Sequence, residues 1–218
     1  MYRRKFIKQI CLFSLSFIFL KTKIMANSLF KPFNLVDGIF TNNYVSHKSS
    51  FKDFWRWRRE SNKPEPISFP VIRNDPGYLK SNRSEKTITW IGHSTFLLQI
   101  NGINILTDPH FTKRASPLNF MGPSRTTPSG LRIEDLPFID FVLISHNHYD
   151  HLDSKTIKLL LEKQNINQPT FFVPLKLKGI VSKLGANNVI EHEWWQMTTY
   201  KNLEIHSVPV QHWSKRTF

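Results

Sequence analysis

Four apolar residues, Phe141-Val142-Leu143-Ile144, run directly into Ser145-His146-Asn147-His148-Tyr149-Asp150-His151. The first four have the composition of a buried strand, and the next stretch puts three imidazoles and a carboxylate into six positions. Buried polar groups are costly unless something binds them. Neutral imidazole is the commonest metal ligand, and borderline metals such as zinc accept imidazole and carboxylate together. In extended backbone His146 and His148 project to one side. Asp150 and His151 come as the chain leaves the strand and can present a second set of donors, so the spacing suits two neighbouring metals better than one. The stretch reads as a metal site, not as a polar loop with chance histidines.

The chain around this site reads as alternating strands and helices. Thr87–Ile91 and Thr95–Ile100 are strand-like, and Asn101-Gly102 is a hairpin turn into Ile103–Thr107. After the metal strand, Asp153 or Ser154 can cap a helix with Ile157, Leu160 and Leu161 on one face. Thr170–Val173 is a further strand, then a helix through Leu184 stopped by Gly185, then strands Val189–His192 and Leu203–Val210. His212 comes after the last of these, and Asp108 after Ile105-Leu106-Thr107. Read from its neighbours alone, the Asp108 carboxylate caps the turn before Pro109. His110, His192 and His206 read as surface or packing residues.

Upstream, residues 27–85 show little periodicity. Phe51, Phe54 and Trp55 fall at helical spacing with Arg56, Arg58 and Arg59 on the same turns. Such a helix either packs its aromatic face on the domain or lies in a lipid interface. Pro64, Pro66, Pro70 and Pro76 are expected to break regular structure up to the catalytic half.

Charge narrows the partners. The chain carries a formal net charge of +14, but residues 1–63 hold 13 Lys/Arg against 3 Asp/Glu, a surplus of 10, and the remaining 155 residues a surplus of only 4. A nucleic-acid enzyme should show a basic stripe near its site, so no nucleic-acid partner is expected, whereas the basic, aromatic N-terminal third fits a membrane surface. Residues 1–26 resemble a leader. Arg3-Arg4-Lys5-Phe6-Ile7-Lys8 precedes an uncharged stretch, Gln9 to Leu20, too short for the ~20 residues of a membrane span. The twin arginines suggest export to the periplasm or a membrane anchor; a start at Met25 would leave the product cytoplasmic. The single cysteine, Cys11, excludes a disulfide framework.

A resemblance sharpens this reading. His146-x-His148-x-Asp150-His151 matches the HxHxDH motif of the metallo-β-lactamase superfamily. Thr89-Trp90-Ile91-Gly92-His93-Ser94-Thr95, Leu106-Thr107-Asp108-Pro109, Arg114-Ala115-Ser116-Pro117, Met121-Gly122-Pro123 and Gln211-His212-Trp213 occur in the order found in its N-acyl-phosphatidylethanolamine-hydrolysing phospholipase D branch. The resemblance covers residue 87 to the C-terminus.

It implies an α/β fold, the metallo-β-lactamase-like αβ/βα sandwich, of which residues 86–218 hold roughly the first half. It also implies two zincs: His146, His148 and His212 on the first, Asp150 and His151 on the second, with a bridging aspartate and a last histidine expected from a second half that this chain lacks. Asp150 would also handle the proton of the nucleophile, Tyr149 would touch the phospholipid substrate, and Asp108 would support a metal-binding histidine from behind. The expected reaction is phosphodiester hydrolysis, with the chain inactive by itself and one sheet face uncovered unless two copies pair as a homodimer. Another hydrolase on the fold (lactonase, amidase or RNA-processing nuclease) and a non-catalytic zinc-binding remnant are the alternatives.

Overall fold

The computed structural model describes residues 35–36, 38–42, 50–61, 65, 67–118 and 120–216. The leader expected over residues 1–26, and the alternative start at Met25, lie outside the described residues. Two compact units divide at Lys48/Ser49. In the first, β1 (Leu35–Val36) and β2 (Ile39–Phe40) form a small antiparallel hairpin. The second begins with helix α1 (Phe51–Glu60) and holds the main sheet and the clustered histidines.

The centre of this second unit is a six-stranded mixed sheet whose strands lie side by side in chain order. β3 (Thr87–Gly92), β4 (Thr95–Ile100) and β5 (Ile103–Thr107) form an antiparallel meander. The Asn101-Gly102 turn has φ of +53° and +75°, the twin positive values that a two-residue turn needs to follow strand twist. β5 then runs parallel to β6 (Phe141–Leu143), β7 (Thr170–Pro174) and β8 (Val189–His192). Parallel strands covered on both faces read as unbroken apolar runs, as in Phe141-Val142-Leu143 and Phe171-Phe172-Val173.

Strand alternation separates two cores. Leu97, Leu106, Val142, Phe171 and Val173 face helices α2 (Pro76–Ser81), α3 (Ser154–Lys163) and α4 (Lys178–Lys183), meeting Leu79, Ile157, Leu160, Leu161 and Val181. On the other face Ile103, Ile105, Phe141 and Phe172 pack with Tyr200, Leu203 and Ile205. Those last residues belong to a hairpin, β9 (Met197–Tyr200) and β10 (Leu203–His206). The hairpin covers part of the face expected to be bare.

Two expectations change. Pro76 does not break structure; it occupies the first turn of α2 behind the Asp75 cap, where its missing N–H has no partner to lose. The strand expected over 203–210 ends at His206, and residues 207–214 continue without strand pairing. β9 has no strong sequence signal because its turn is Lys201-Asn202, with φ of +47° and +63°, not a glycine pair. The cap of α3 resolves to Asp153, whose side chain accepts from the Lys155 and Thr156 amides. Gly185, at φ +108°, comes directly after the α4 C-cap Leu184, where glycine is favoured. Among the described residues no helix is long and apolar enough to cross a membrane.

Candidate metal centre

β5 and β6 are parallel neighbours, so their carboxyl ends emerge together, the place where open α/β sheets build sites. Asp108 lies just past β5, and Ser145 to His151 just past β6. The Asp108 amide donates to Leu143 O at 2.9 Å, locking the two exits side by side. Asp108 itself has φ of +35°, a conformation Asp tolerates better than most residues, held by the Thr95 hydroxyl donating to its carbonyl at 2.8 Å.

The buried Asp108 carboxylate organises the histidines around it. Its Oδ1 accepts from the Ser145 amide at 2.7 Å and its Oδ2 from the Ser145 hydroxyl at 2.7 Å. Oδ2 also lies 2.8 Å from His151 Nδ1. A carboxylate only accepts, so His151 carries its proton on Nδ1 and its Nε2 is left with a lone pair. The Ser145 proton is committed to Asp108, so Ser145 Oγ accepts from His146 Nδ1 at 2.9 Å. His146 Nε2 is therefore also a lone-pair nitrogen. One carboxylate orients two imidazoles, one directly and one through a serine.

Those nitrogens sit in two donor groups. In the first, His146 Nε2 is 2.9 Å and His212 Nε2 is 3.3 Å from His148 Nδ1. Nitrogens of His146, His148 and His212 thus converge within 4.8 Å of one another. In the second, His93, Asp150 and His151 converge within the same limit. His93 Nε2 donates to Asp150 Oδ2 at 2.8 Å, and His151 Nε2 lies 3.5 Å from the same oxygen. The groups adjoin: the His146 and His151 rings are 4.0 Å apart, centroid to centroid.

His212 is brought in by the chain behind it. The Ser214 hydroxyl donates to Asn147 Oδ1 at 2.6 Å, while Arg216 donates to the carbonyls of Asn147 (3.0 Å) and Leu152 (2.8 Å) and to Ser154 Oγ (3.0 Å). The Arg216 guanidinium also lies 4.2 Å over the Tyr149 ring. Tyr149 turns into a cavity of about 970 Å³ lined by Phe111, Leu131, Arg114, Arg132 and Arg216, among others, and by none of the six donor residues.

A cation fits this donor set. Three ring nitrogens aimed at one another, His146 Nε2, His148 Nδ1 and His212 Nε2, cannot all be satisfied by their own protons. Burial, then the neighbouring His151, His148 and His212, push His146 down to about 4, and burial with His212 pushes His148 down. Both rings are ready as neutral ligands at neutral pH. For His151 burial pulls downward, but the Asp108 hydrogen bond and charge prevail and the net shift is up. Burial would raise Asp150, yet a backbone hydrogen bond and the charges of His151 and His93 outweigh it, holding the carboxyl ionised.

These shifts set the order in which acid empties the two groups. Metal must displace the proton from each imidazole, so lowering pH from about 8 to about 5 should empty the His93/Asp150/His151 group before the His146/His148/His212 group. Cobalt absorbance followed through an acid titration would show two steps in that order; a single step, or the reverse order, would contradict it. Asp108→Asn should weaken metal binding by about 10–100-fold, the usual cost of losing a carboxylate behind a ligating histidine, because it releases both His146 and His151. Competition titration against a chelator measures this.

Of the residues that the sequence marks, His146, His148 and His212 come together, as do Asp150 and His151, with Asp108 behind. His93 carries a weaker signal in the sequence, and the structure adds it to the second group. The Ser145 relay and the Ser214 and Arg216 anchors have no sequence signal of their own. His192 is buried against Thr198 at 2.8 Å, and His110 is buried beside Arg125, which donates to its carbonyl.

Comparison with known proteins agrees with this geometry. Residues 87–217 match the beta-lactamase superfamily domain, and the chain belongs to that family; its fold class is the αβ/βα sandwich of the metallo-β-lactamases. It is similar to N-acyl-phosphatidylethanolamine-hydrolyzing phospholipase D 1 of Caenorhabditis elegans, 38% identical over 138 residues, covering 59% of this chain and 38% of that one. It is also similar to the mitochondrial enzyme of that name from Saccharomyces cerevisiae, 36% identical over 133 residues, 59% of this chain and 28% of the other. The chain thus spans well under half the length of these relatives. Among solved structures, the metallo hydrolase Igni18 of Ignicoccus hospitalis aligns with a TM-score of 0.42 at 23% identity, covering 58% of this chain and 49% of that one.

Proposed function

We propose that this chain carries the metal-binding part of a zinc-dependent phosphodiester hydrolase of the phospholipase D type, acting on N-acyl-phosphatidylethanolamine-like lipids. The observation that carries the reading is the pair of adjoining donor groups, His146/His148/His212 and His93/Asp150/His151, in a chain that resembles enzymes named for that reaction. Imidazole with carboxylate suits zinc. Metal at such a site supplies Lewis-acid chemistry, making water a nucleophile at neutral pH and neutralising charge on phosphate.

The residues divide the remaining work. Asp108 and Ser145 hold His146 and His151 with their lone pairs forward. Asp150, kept ionised and steadied by His93, would accept the proton of the attacking water. The Tyr149 cavity mixes apolar side chains such as Phe111, Leu131 and Leu159 with a surplus of cations, six Lys/Arg against Glu134 and Asp153, and so suits an anionic lipid better than a neutral lactam or lactone. The test is release of phosphatidic acid from N-acyl-phosphatidylethanolamine by the full-length protein with zinc. Hydrolysis of a lactam, lactone or RNA precursor with none of the lipid would move the assignment elsewhere in the superfamily.

A further inference from the structure

Helix α1 has no buried residue. Phe51, Phe54, Trp55 and Trp57 are 76, 46, 54 and 63% exposed. Their rings touch in series at centroid spacings of 6.0–6.2 Å, forming one aromatic surface across roughly 160° of the helix at about 100° per residue. Single exposed apolar side chains are ordinary, whereas a contiguous group this large marks an interaction site.

The helix is capped without using that surface. Ser50 and Asp53 form a capping box, with the Ser50 amide donating to Asp53 Oδ2 at 2.9 Å and the Asp53 amide to Ser50 Oγ at 3.2 Å. Isolated helices this short are marginal in water, so the box fits a helix that must stay formed while exposed. Lys52, Arg56 and Arg59 flank one edge of the aromatic arc. Asp53 is engaged in the cap and lies 3.4 Å from Arg56; with that pair set aside, Glu60 stands against three cations, Lys52, Arg58 and Arg59.

Arg58 decides between occupants. Helical spacing puts it inside the aromatic arc, between Phe51 and Phe54. A dry apolar groove on a protein would have to bury that guanidinium, at a cost that only an excellent partner repays. At a membrane interface its stem lies among the rings while its head reaches lipid phosphates. Aromatic rings at headgroup level beside Lys and Arg are the composition of interfacial helices. Ten residues span about 15 Å, half the ~30 Å hydrocarbon core, so such a helix lies along the membrane and does not cross it.

We infer that α1 docks in the headgroup layer of an anionic bilayer, aromatic rings toward the acyl chains and Lys52, Arg56, Arg58 and Arg59 on lipid phosphates. The purpose, holding the metal centre at a lipid substrate, rests on the function proposed above; the binding itself does not.

The test uses the intact protein with vesicles of phosphatidylcholine alone or mixed with phosphatidylglycerol, reading tryptophan quenching by brominated lipid. Wild-type protein is expected to be quenched on the anionic vesicles only. Trp55→Phe/Trp57→Phe should remove most of that quenching, whatever other segments bind. Trp55→Ala/Trp57→Ala should weaken α1 docking and slow hydrolysis of vesicular lipid at least tenfold while leaving a soluble short-chain phosphodiester unaffected. Arg56→Gln/Arg58→Gln/Arg59→Gln should abolish the preference for phosphatidylglycerol. Undiminished quenching in Trp55→Phe/Trp57→Phe would overturn the inference, as would a vesicle-free dimer that dissociates in the alanine variant, showing that the face buries a second copy. Docking without lipid hydrolysis would sink the proposed function and leave this inference standing. Vesicular hydrolysis unchanged in an alanine variant that no longer docks would overturn the stated purpose of the docking and leave the proposed function standing.

Discussion

Asp150→Asn in the intact protein is expected to lower hydrolysis of N-acyl-phosphatidylethanolamine by about 10³- to 10⁵-fold, the range seen when a residue central to a catalytic unit is removed. Asp150 accepts from His93 and faces His151 Nε2, so under the proposed function it would serve both as a metal donor and as a base. Burial alone would raise it; a hydrogen bond from its own backbone and the charges of His151 and His93 outweigh that and keep it ionised. An asparagine keeps the shape and loses the charge that attracts metal and the lone pair that takes a proton. The loss should fall on kcat, because the cavity lining around Tyr149 is untouched. Turnover within tenfold of wild type, at equal metal content, would remove Asp150 from the chemistry.

His146→Ala should have a comparably large effect by a different route. His146 Nε2 is 2.9 Å from His148 Nδ1, and its ring lies 4.6 Å from that of His212 and 4.0 Å from that of His151. Removing it takes a donor from the first group and leaves two imidazoles that cannot complete a tetrahedral site. Metal affinity at that group should fall by more than the ~10–100-fold given for Asp108→Asn, since a ligand is lost and not merely its support. Activity should not recover on adding zinc at concentrations that saturate wild type. A variant that regains full turnover with modest extra zinc would show that His146 is peripheral.

Much of this centre is legible in the sequence because it is local. His146, His148, Asp150 and His151 occupy one turn after a strand, and the apolar run before them fixes where they emerge. Asn101-Gly102 and Asp153 are turn and cap residues whose physics is equally local. The parts that escape are those the sheet brings together from a distance. His93 lies in the β3–β4 turn at φ +51°, far from Asp150 in sequence, and only the meander register sets it beside the second group. Ser145 looks like a spacer until the parallel exit of β5 puts Asp108 against its amide and hydroxyl. His212 is not placed by a strand; it is held by Ser214 and Arg216 bonding back to the 147–154 segment, long-range contacts with no periodic signature. Pro76 misleads because proline both ends helices and starts them.

The metal content of the purified, folded protein tests the central claim most directly. Equilibrated with zinc and desalted at pH 7, it should retain one tightly held zinc at His146, His148 and His212, where the shifts of His146 and His148 favour neutral rings. A second, weaker zinc should appear at His93, Asp150 and His151, where His151 is drawn toward protonation by Asp108. His212→Ala should remove the tight zinc. No retained metal, or a tight zinc that survives the loss of His212, would contradict the account.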